Sequence, residues 1–157
     1  MKKEEKTNVM RVLEQKKIAY QSHSYEPDAT MTGLQIAVLL GQEPSHVFKT
    51  LVTVGKPARY YVFVIPVESE LDLKKAAAAA GEKAVSMIPQ KELLPLTGYI
   101  HGGCSPIGMK KHFPTFIHQS AGDLPAMCVS AGKVGFQIEL SPSDLLRAAD
   151  AKLADLV

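Results

Sequence analysis

Apolar residues recur at helical spacing near the start of the chain. Val9, Met10, Val12 and Leu13 share one face of Thr7–Lys17, and Lys16 and Lys17 fall where cations suit a helix dipole. A strand is predicted from Ile18 to Tyr25, broken by Pro27 and Asp28. Thr32 is placed to cap a second helix, Gly33–Leu40, which Gly41 stops. The period then changes. Val47–Val54 is β-branched and largely apolar, Gly55-Lys56-Pro57 turns the chain, and Tyr60–Pro66 returns as an apolar strand, the signature of a core hairpin. Ser69 and Asp72 have capping-box spacing for an alanine-rich helix, Glu70–Ala80, closed by Gly81. A short strand, Val85–Ile88, and a short helix, Pro89–Leu94, lead into Tyr99–Met109, whose Gly, Ser and Pro content predicts an ordered loop. His112–His118 and Ala126–Ser130 are candidate strands, and Ala131-Gly132-Lys133 turns the chain into a return strand, Val134–Leu140. Ser141 caps a last helix, with Pro142 at its first position and Asp144 completing the box.

Strands interspersed with four or five helices, several of them in hairpins, predict an α+β fold. The expected architecture is a single domain over residues 1–157: a mixed, mostly antiparallel, barrel-like sheet flanked by helices, without repeat or linker. A chain of 157 residues can bury a sizeable core without staples. An apolar fraction of 46% and a charged fraction of 22% exclude a disordered polymer. Two cysteines, Cys104 and Cys128, are too few for a disulfide framework, so a reducing cytoplasm is the expected setting. The charged Met1–Lys6 run precedes no signal-type apolar segment, and no apolar stretch is long enough to span a bilayer. The net charge of +2 leaves nucleic-acid contact to local patches, with Lys110, Lys111, Lys133 and Arg147 as candidates, although such residues are more often just solvated surface charges.

Several familiar chemistries lack their motifs. No glycine-rich phosphate loop runs into Lys-Ser or Lys-Thr, no His-Glu-x-x-His occurs, and no Gly-x-Ser-x-Gly elbow is present. The five histidines pair with neither cysteine at zinc-ligand spacing, so the reading calls for no metal and no cofactor. Two places stand out instead. Lys49, at the start of an apolar strand, puts a cation at a pocket wall, unless it merely snorkels at a strand end. Gly102-Gly103-Cys104-Ser105-Pro106-Ile107-Gly108 offers backbone N–H groups to an anion or developing oxyanion, unless it is only a tight connection. Cys104 near His101 brings a nucleophile and base to mind, but three residues apart in a loop they need not point together, and no orienting third group is visible. Cys128, in an apolar strand, reads as a small buried hydrophobe.

Four segments carry a resemblance. Ser45–Leu51 resembles the lysine motif of the YbaK and prolyl-tRNA-synthetase-associated editing domains, and Gly98–Lys111 resembles their glycine loop. Val129–Lys133 and Leu140–Leu145 are similar to two further family segments, and the matches run in order along essentially the whole chain. The sequence departs from the family at Met31–Gln35, where relatives carry a more acidic helix start. The resemblance implies a deacylase that clears mischarged aminoacyl-tRNA, cysteine on tRNA(Pro) above all, because size alone separates cysteine from proline poorly. It implies Lys49 beside the terminal adenosine and the ester, Gly102 and Gly103 as carbonyl-oxygen donors, and Tyr25, Thr50 and Ser130 as pocket walls. Asp144 matches a polar family position near the pocket, although its capping role explains it as well. The implied partners are the 3′-terminal aminoacyl-adenosine of a mischarged tRNA and prolyl-tRNA synthetase. The implied chemistry uses the thiol of the bound cysteine rather than a protein nucleophile. The rivals are a hydrolytic deacylase for another small amino acid such as alanine, and a non-catalytic module that binds the tRNA end or a synthetase.

Overall fold

The computed structural model describes residues 6–28 and 30–157. The charged stretch before Lys6 lies outside the described residues. Helix α1 (Asn8–Gln15) starts where Thr7 accepts the Met10 N–H, and buries Val9, Met10 and Leu13. That cap is worth about 1 kcal/mol. Truncating the fully buried Leu13 to alanine costs about 2–5 kcal/mol, so packing holds this helix more than its cap does. Strand β1 (Gln21–Ser24) follows. Helix α2 (Gly33–Leu39) opens with a complete capping box between Thr32 and Gln35.

The predicted hairpin is the centre of the molecule. Strands β2 (Phe48–Gly55) and β3 (Arg59–Pro66) pair antiparallel, with Lys49 opposite Ile65 and Thr50 opposite Val64. β3 is buried on both faces, which explains its continuous apolar run. Val62 and Val64 face the main core, while Tyr61, Phe63 and Ile65 pack against helix α3 (Leu73–Ala80). α3 begins three residues later than the Ser69–Asp72 spacing predicts. Asp72 is itself the cap, its carboxylate accepting the Lys74 and Lys75 N–H groups, so it cannot also serve as the third residue of a box. Strands β4 (Ser86–Met87), β5 (Thr115–His118), β6 (Met127–Ser130) and β7 (Phe136–Leu140) and helix α5 (Pro142–Ala148) fall within the predicted set, whereas helix α4 (Leu93–Thr97) starts four residues after the predicted Pro89, the intervening Gln90–Glu92 forming a 3-10 turn.

One strand was not predicted. β8 (Ala151–Ala154) lies parallel to β5, which is itself parallel to β3. The sheets therefore have orders β4-β2-β3-β5-β8 and β1-β7-β6. They do not close into the expected barrel: among the described residues the ladder between them is a single parallel bridge, Val47 to Cys128. The main core fills the space between the sheets, with Val52, Val64 and Ile117 on one side, Met127, Val129 and Ile138 on the other, and α1 and α5 at the ends. Among the described residues no helix is long and apolar enough to cross a membrane.

Candidate active site

A cavity of about 360 Å³ opens at the seam between the two sheets. That is the size of a small-ligand pocket. The start of β2 makes one wall. It has β3 on one flank, while β4 reaches only Thr53 and Val54 on the other, so Phe48–Leu51 are left without a strand partner on that side among the described residues. β6 and β7 supply Val129, Ser130, Phe136 and Gln137, and α2 with its lead-in supplies Met31, Thr32, Gly33 and Ile36. Tyr25 enters just past β1, held by its N–H bond to the Gly135 carbonyl at 3.0 Å. The glycine loop contributes His101, Gly102 and Cys104.

Lys49 is the one permanently charged side chain among the lining residues, and no carboxylate of the described residues pairs with it. Around it the walls are apolar or neutral. A cation so placed in a concave, low-dielectric site favours an anion far more than it would in water. Next along the strand, the Thr50 hydroxyl is buried without a hydrogen-bond partner among the described residues. Such an orphan costs about 1–3 kcal/mol, so a folded chain retains one where something other than stability is selected.

The loop is built to hold its shape. Tyr99 donates its hydroxyl to the Ile107 carbonyl at 2.5 Å, and the Ile107 N–H reaches Ser105 Oγ at 3.3 Å. Gly102 has φ +88°, a left-handed conformation that only glycine adopts without strain. Gly103 is a correction to the expectation. Its N–H already donates to the Ile100 carbonyl at 3.0 Å, and it packs on the Lys133–Val134 backbone instead of lining the cavity. Gly102 remains as the loop glycine among the cavity-lining residues. Asp144 is a second correction. It sits in the first turn of α5, donates its N–H to Ser141 and pairs its carboxylate with Arg147 at 3.3 Å, away from the cavity-lining residues. Ser130 does line the cavity, with Oγ accepting the Gly132 N–H at 3.1 Å.

Cys104 also lines the cavity, but burial pushes its thiol up to about 12. The nucleophilic form is the thiolate, which is scarce at neutral pH for such a group. His101, Gln137, Phe136 and Met31 escaped the residue-by-residue expectations. Gln137 carried no usable signal: alternating with Phe136, Ile138 and Leu140, it reads as an outward polar position of its strand, like Glu139. It is 4% exposed and exchanges two amide bonds with Gln42. Met31, Thr32 and Gly33, where the sequence is expected to depart from the resembled family, fall on the cavity wall.

A two-sheet α+β domain with a cavity at the seam, a lysine at the start of the central strand and a rigid glycine loop opposite is the architecture of an editing domain. The chain belongs to the aminoacyl-tRNA editing domain family, whose model matches residues 27–148. It is 46% identical over 156 residues, 99% of this chain and 95% of the other, to an Enterococcus faecalis (strain ATCC 700802 / V583) protein provisionally named Cys-tRNA(Pro)/Cys-tRNA(Cys) deacylase EbsC. Among solved structures it resembles one provisionally described as a trans-editing enzyme for prolyl tRNA synthetase, with 26% identity, TM-score 0.80, and coverage of 94% of this chain and 93% of that one. A hypothetical protein, APE2540, shares the fold at TM-score 0.86 and 24% identity, covering 94% of this chain and 97% of its own.

Proposed function

We propose that this chain is a trans-editing deacylase that removes cysteine from Cys-tRNA(Pro), with the thiol of the bound cysteine as the attacking group. The observation that carries the reading is Lys49, a cation with no ion-pair partner among the described residues, in a mostly apolar cavity lined by no carboxylate. The 3′-terminal aminoacyl-adenosine brings the matching negative charge, from its phosphate and from the carbonyl oxygen as the ester breaks. Tyr25, Thr50 and Ser130 hold the aminoacyl group, and the Gly102 N–H faces the carbonyl oxygen. In the reaction the substrate sulfur loses its proton and forms a bond to the ester carbonyl carbon. The bond from that carbon to the ribose oxygen breaks, and the ribose oxygen takes up a proton. The products are a cysteine thiolactone and free tRNA. A well-held intramolecular nucleophile reaches effective molarities of about 10⁵ M or more, so positioning supplies much of the rate.

The relative's name and the family match support the substrate class, and the buried, protonated Cys104 supports a route without a protein thiolate. A net charge of +2 fits a protein that works beside a synthetase already holding the tRNA, and prolyl-tRNA synthetase in the cytoplasm is the partner this substrate implies. The test is a deacylation panel with Cys-, Ala-, Ser- and Pro-tRNA(Pro). Serine is close to cysteine in size but a far poorer nucleophile at neutral pH, so Ser-tRNA(Pro) binds comparably and is cleared much more slowly. Mass spectrometry of the cysteine reaction then shows a transient thiolactone. Equal rates for serine and cysteine with no thiolactone would overturn the mechanism in favour of an activated water. A preference for alanine would move the substrate, and no turnover of any of the four would leave a binding module.

A further inference from the structure

Away from the cavity mouth, the same face of the three-stranded sheet carries a second group of side chains. His23 on β1, Cys128 on β6 and Glu139 on β7 bring a ring nitrogen, a thiol sulfur and a carboxylate oxygen within 4.8 Å of one another. Glu139 lies directly opposite Cys128, and diagonally from His23, whose opposite neighbour is Gln137. His23 Nε2 lies 2.8 Å from Glu139 Oε1. An ion pair alone needs only those two. The sulfur aimed into the same space, on a residue only 4% exposed, is the part such a pair does not explain.

We propose that His23, Cys128 and Glu139 form a transition-metal site with a preference for zinc. The donor set decides the metal. Calcium and magnesium take oxygen ligands, whereas one imidazole, one thiolate and one carboxylate suit a borderline-soft ion such as Zn²⁺. Zinc holds such ligands at about 2.0–2.3 Å in a tetrahedron, which sets neighbouring donor atoms roughly 3.3–3.6 Å apart. Ligation therefore opens the 2.8 Å His23–Glu139 contact by roughly half an ångström or more and closes any donor pair that stands near 4.8 Å by roughly 1–1.5 Å, movements within the reach of side-chain rotation. Cys128 loses its proton on ligation. His23 and Glu139 keep side-chain exposures of 30% and 33%, so an ion has a way in, and three protein donors leave a fourth position for water. The Gln42 amide stands 3.8 Å from the Cys128 sulfur and is locked to Gln137, a second layer that fixes the thiol's surroundings.

The site's place in the sheet gives it a role. Each ligand is two residues along its strand from a cavity-lining residue on the same face: His23 from Tyr25, Glu139 from Gln137, Cys128 from Ser130. A bound ion cross-links all three strands one row below the cavity and braces that wall.

The experiment is a Co²⁺ titration of the full-length protein after dialysis against a chelator. The expected result is one Co²⁺ per chain, a thiolate-to-cobalt charge-transfer band in the near ultraviolet, and loss of the band on adding one equivalent of Zn²⁺. The band disappears in Cys128→Ser and persists in Cys104→Ser. Because Cys128 is buried, His23→Gln and Glu139→Gln at half-exposed positions provide the independent check. Each weakens Co²⁺ binding by tenfold or more, and Zn²⁺ raises the Tm of the wild-type chain by several degrees but not that of His23→Gln. Absence of a saturable band, a band that survives Cys128→Ser, or equal affinity in His23→Gln and wild type would overturn the proposal.

Discussion

Replacing Thr50 with valine separates what this position does for the fold from what it does for the reaction. The Thr50 hydroxyl is buried and makes no hydrogen bond among the described residues, while its strand neighbours Phe48 and Val52 belong to the main core. A buried hydroxyl without a partner costs about 1–3 kcal/mol relative to one that is bonded or hydrated. Valine keeps the β-branched shape and the strand preference and puts a methyl where the hydroxyl was. Thr50→Val therefore stabilises the chain by about 1 kcal/mol, which for a domain of this size raises the Tm by about 2–4 °C. If the hydroxyl is kept for the bound aminoacyl group, the same substitution removes a hydrogen bond from the reacting complex. A loss of about 1.4 kcal/mol there is tenfold in rate. The signature is a pair of opposite signs: a higher Tm by calorimetry and a roughly tenfold or greater fall in kcat/KM for Cys-tRNA(Pro) deacylation. A variant that melts lower than wild type would show that the hydroxyl does have a partner in solution. One that is more stable and fully active would remove Thr50 from the site.

Lys49→Ala keeps its thermal melt within a few degrees, because the side chain makes no ion pair among the described residues, yet loses about 10²–10³ in kcat; full activity in steady-state assays would refute its role. Cys104→Ala keeps activity within about tenfold, whereas a loss of several orders of magnitude would restore the thiol-enzyme alternative. The same variant reports on alkaline stability. Burial holds both Cys104 and Tyr99 protonated up to about 12, above their unfolded values, so their contribution is complete below pH ~9 and is lost as pH rises from there toward 12. Cys104→Ala therefore flattens the decline in urea-measured stability across that window, and an unchanged slope would contradict the burial argument. Binding to uncharged tRNA is weak and falls roughly a hundredfold between about 50 and 200 mM salt if Lys110, Lys111, Lys133 and Arg147 meet four phosphates; affinity indifferent to salt would exclude them.

Elements that close their own hydrogen bonds locally were readable from the sequence. Thr32 and Ser141 cap where the side-chain pattern puts them, and the β2–β3 hairpin follows from an apolar run, a turn and a second apolar run. β8 was not readable, because Ala151-Lys152-Leu153-Ala154 has no strand preference of its own and is held extended by the edge of β5. The site divides the same way. Lys49, Thr50 and Gly102 lie within short recognisable segments. Gly103 and Asp144 lie in such segments too, but the bonds that occupy them, to Ile100, Ser141 and Arg147, appear only once the backbone is folded. His23, Cys128 and Glu139 sit on three strands that only the sheet brings together, so no spacing along the chain announces them.

The single bridge between Val47 and Cys128 bears on how this pocket measures what enters it. A cavity within one continuous sheet has walls of fixed separation, and rejects a larger guest by outright collision. Here one wall belongs to each sheet, and little backbone hydrogen bonding ties them together. The gap then behaves like the jaws of a caliper, and the energy of widening it is set by side-chain packing across the seam rather than by the ladders. Discrimination between amino acids that differ by a methylene becomes a matter of elastic stiffness. Substitutions that soften the packing between Val47, Val67, Ala37 and Cys128, of which Val47 and Val67 also line the cavity, broaden the range of amino acids accepted before they lower the rate for the smallest.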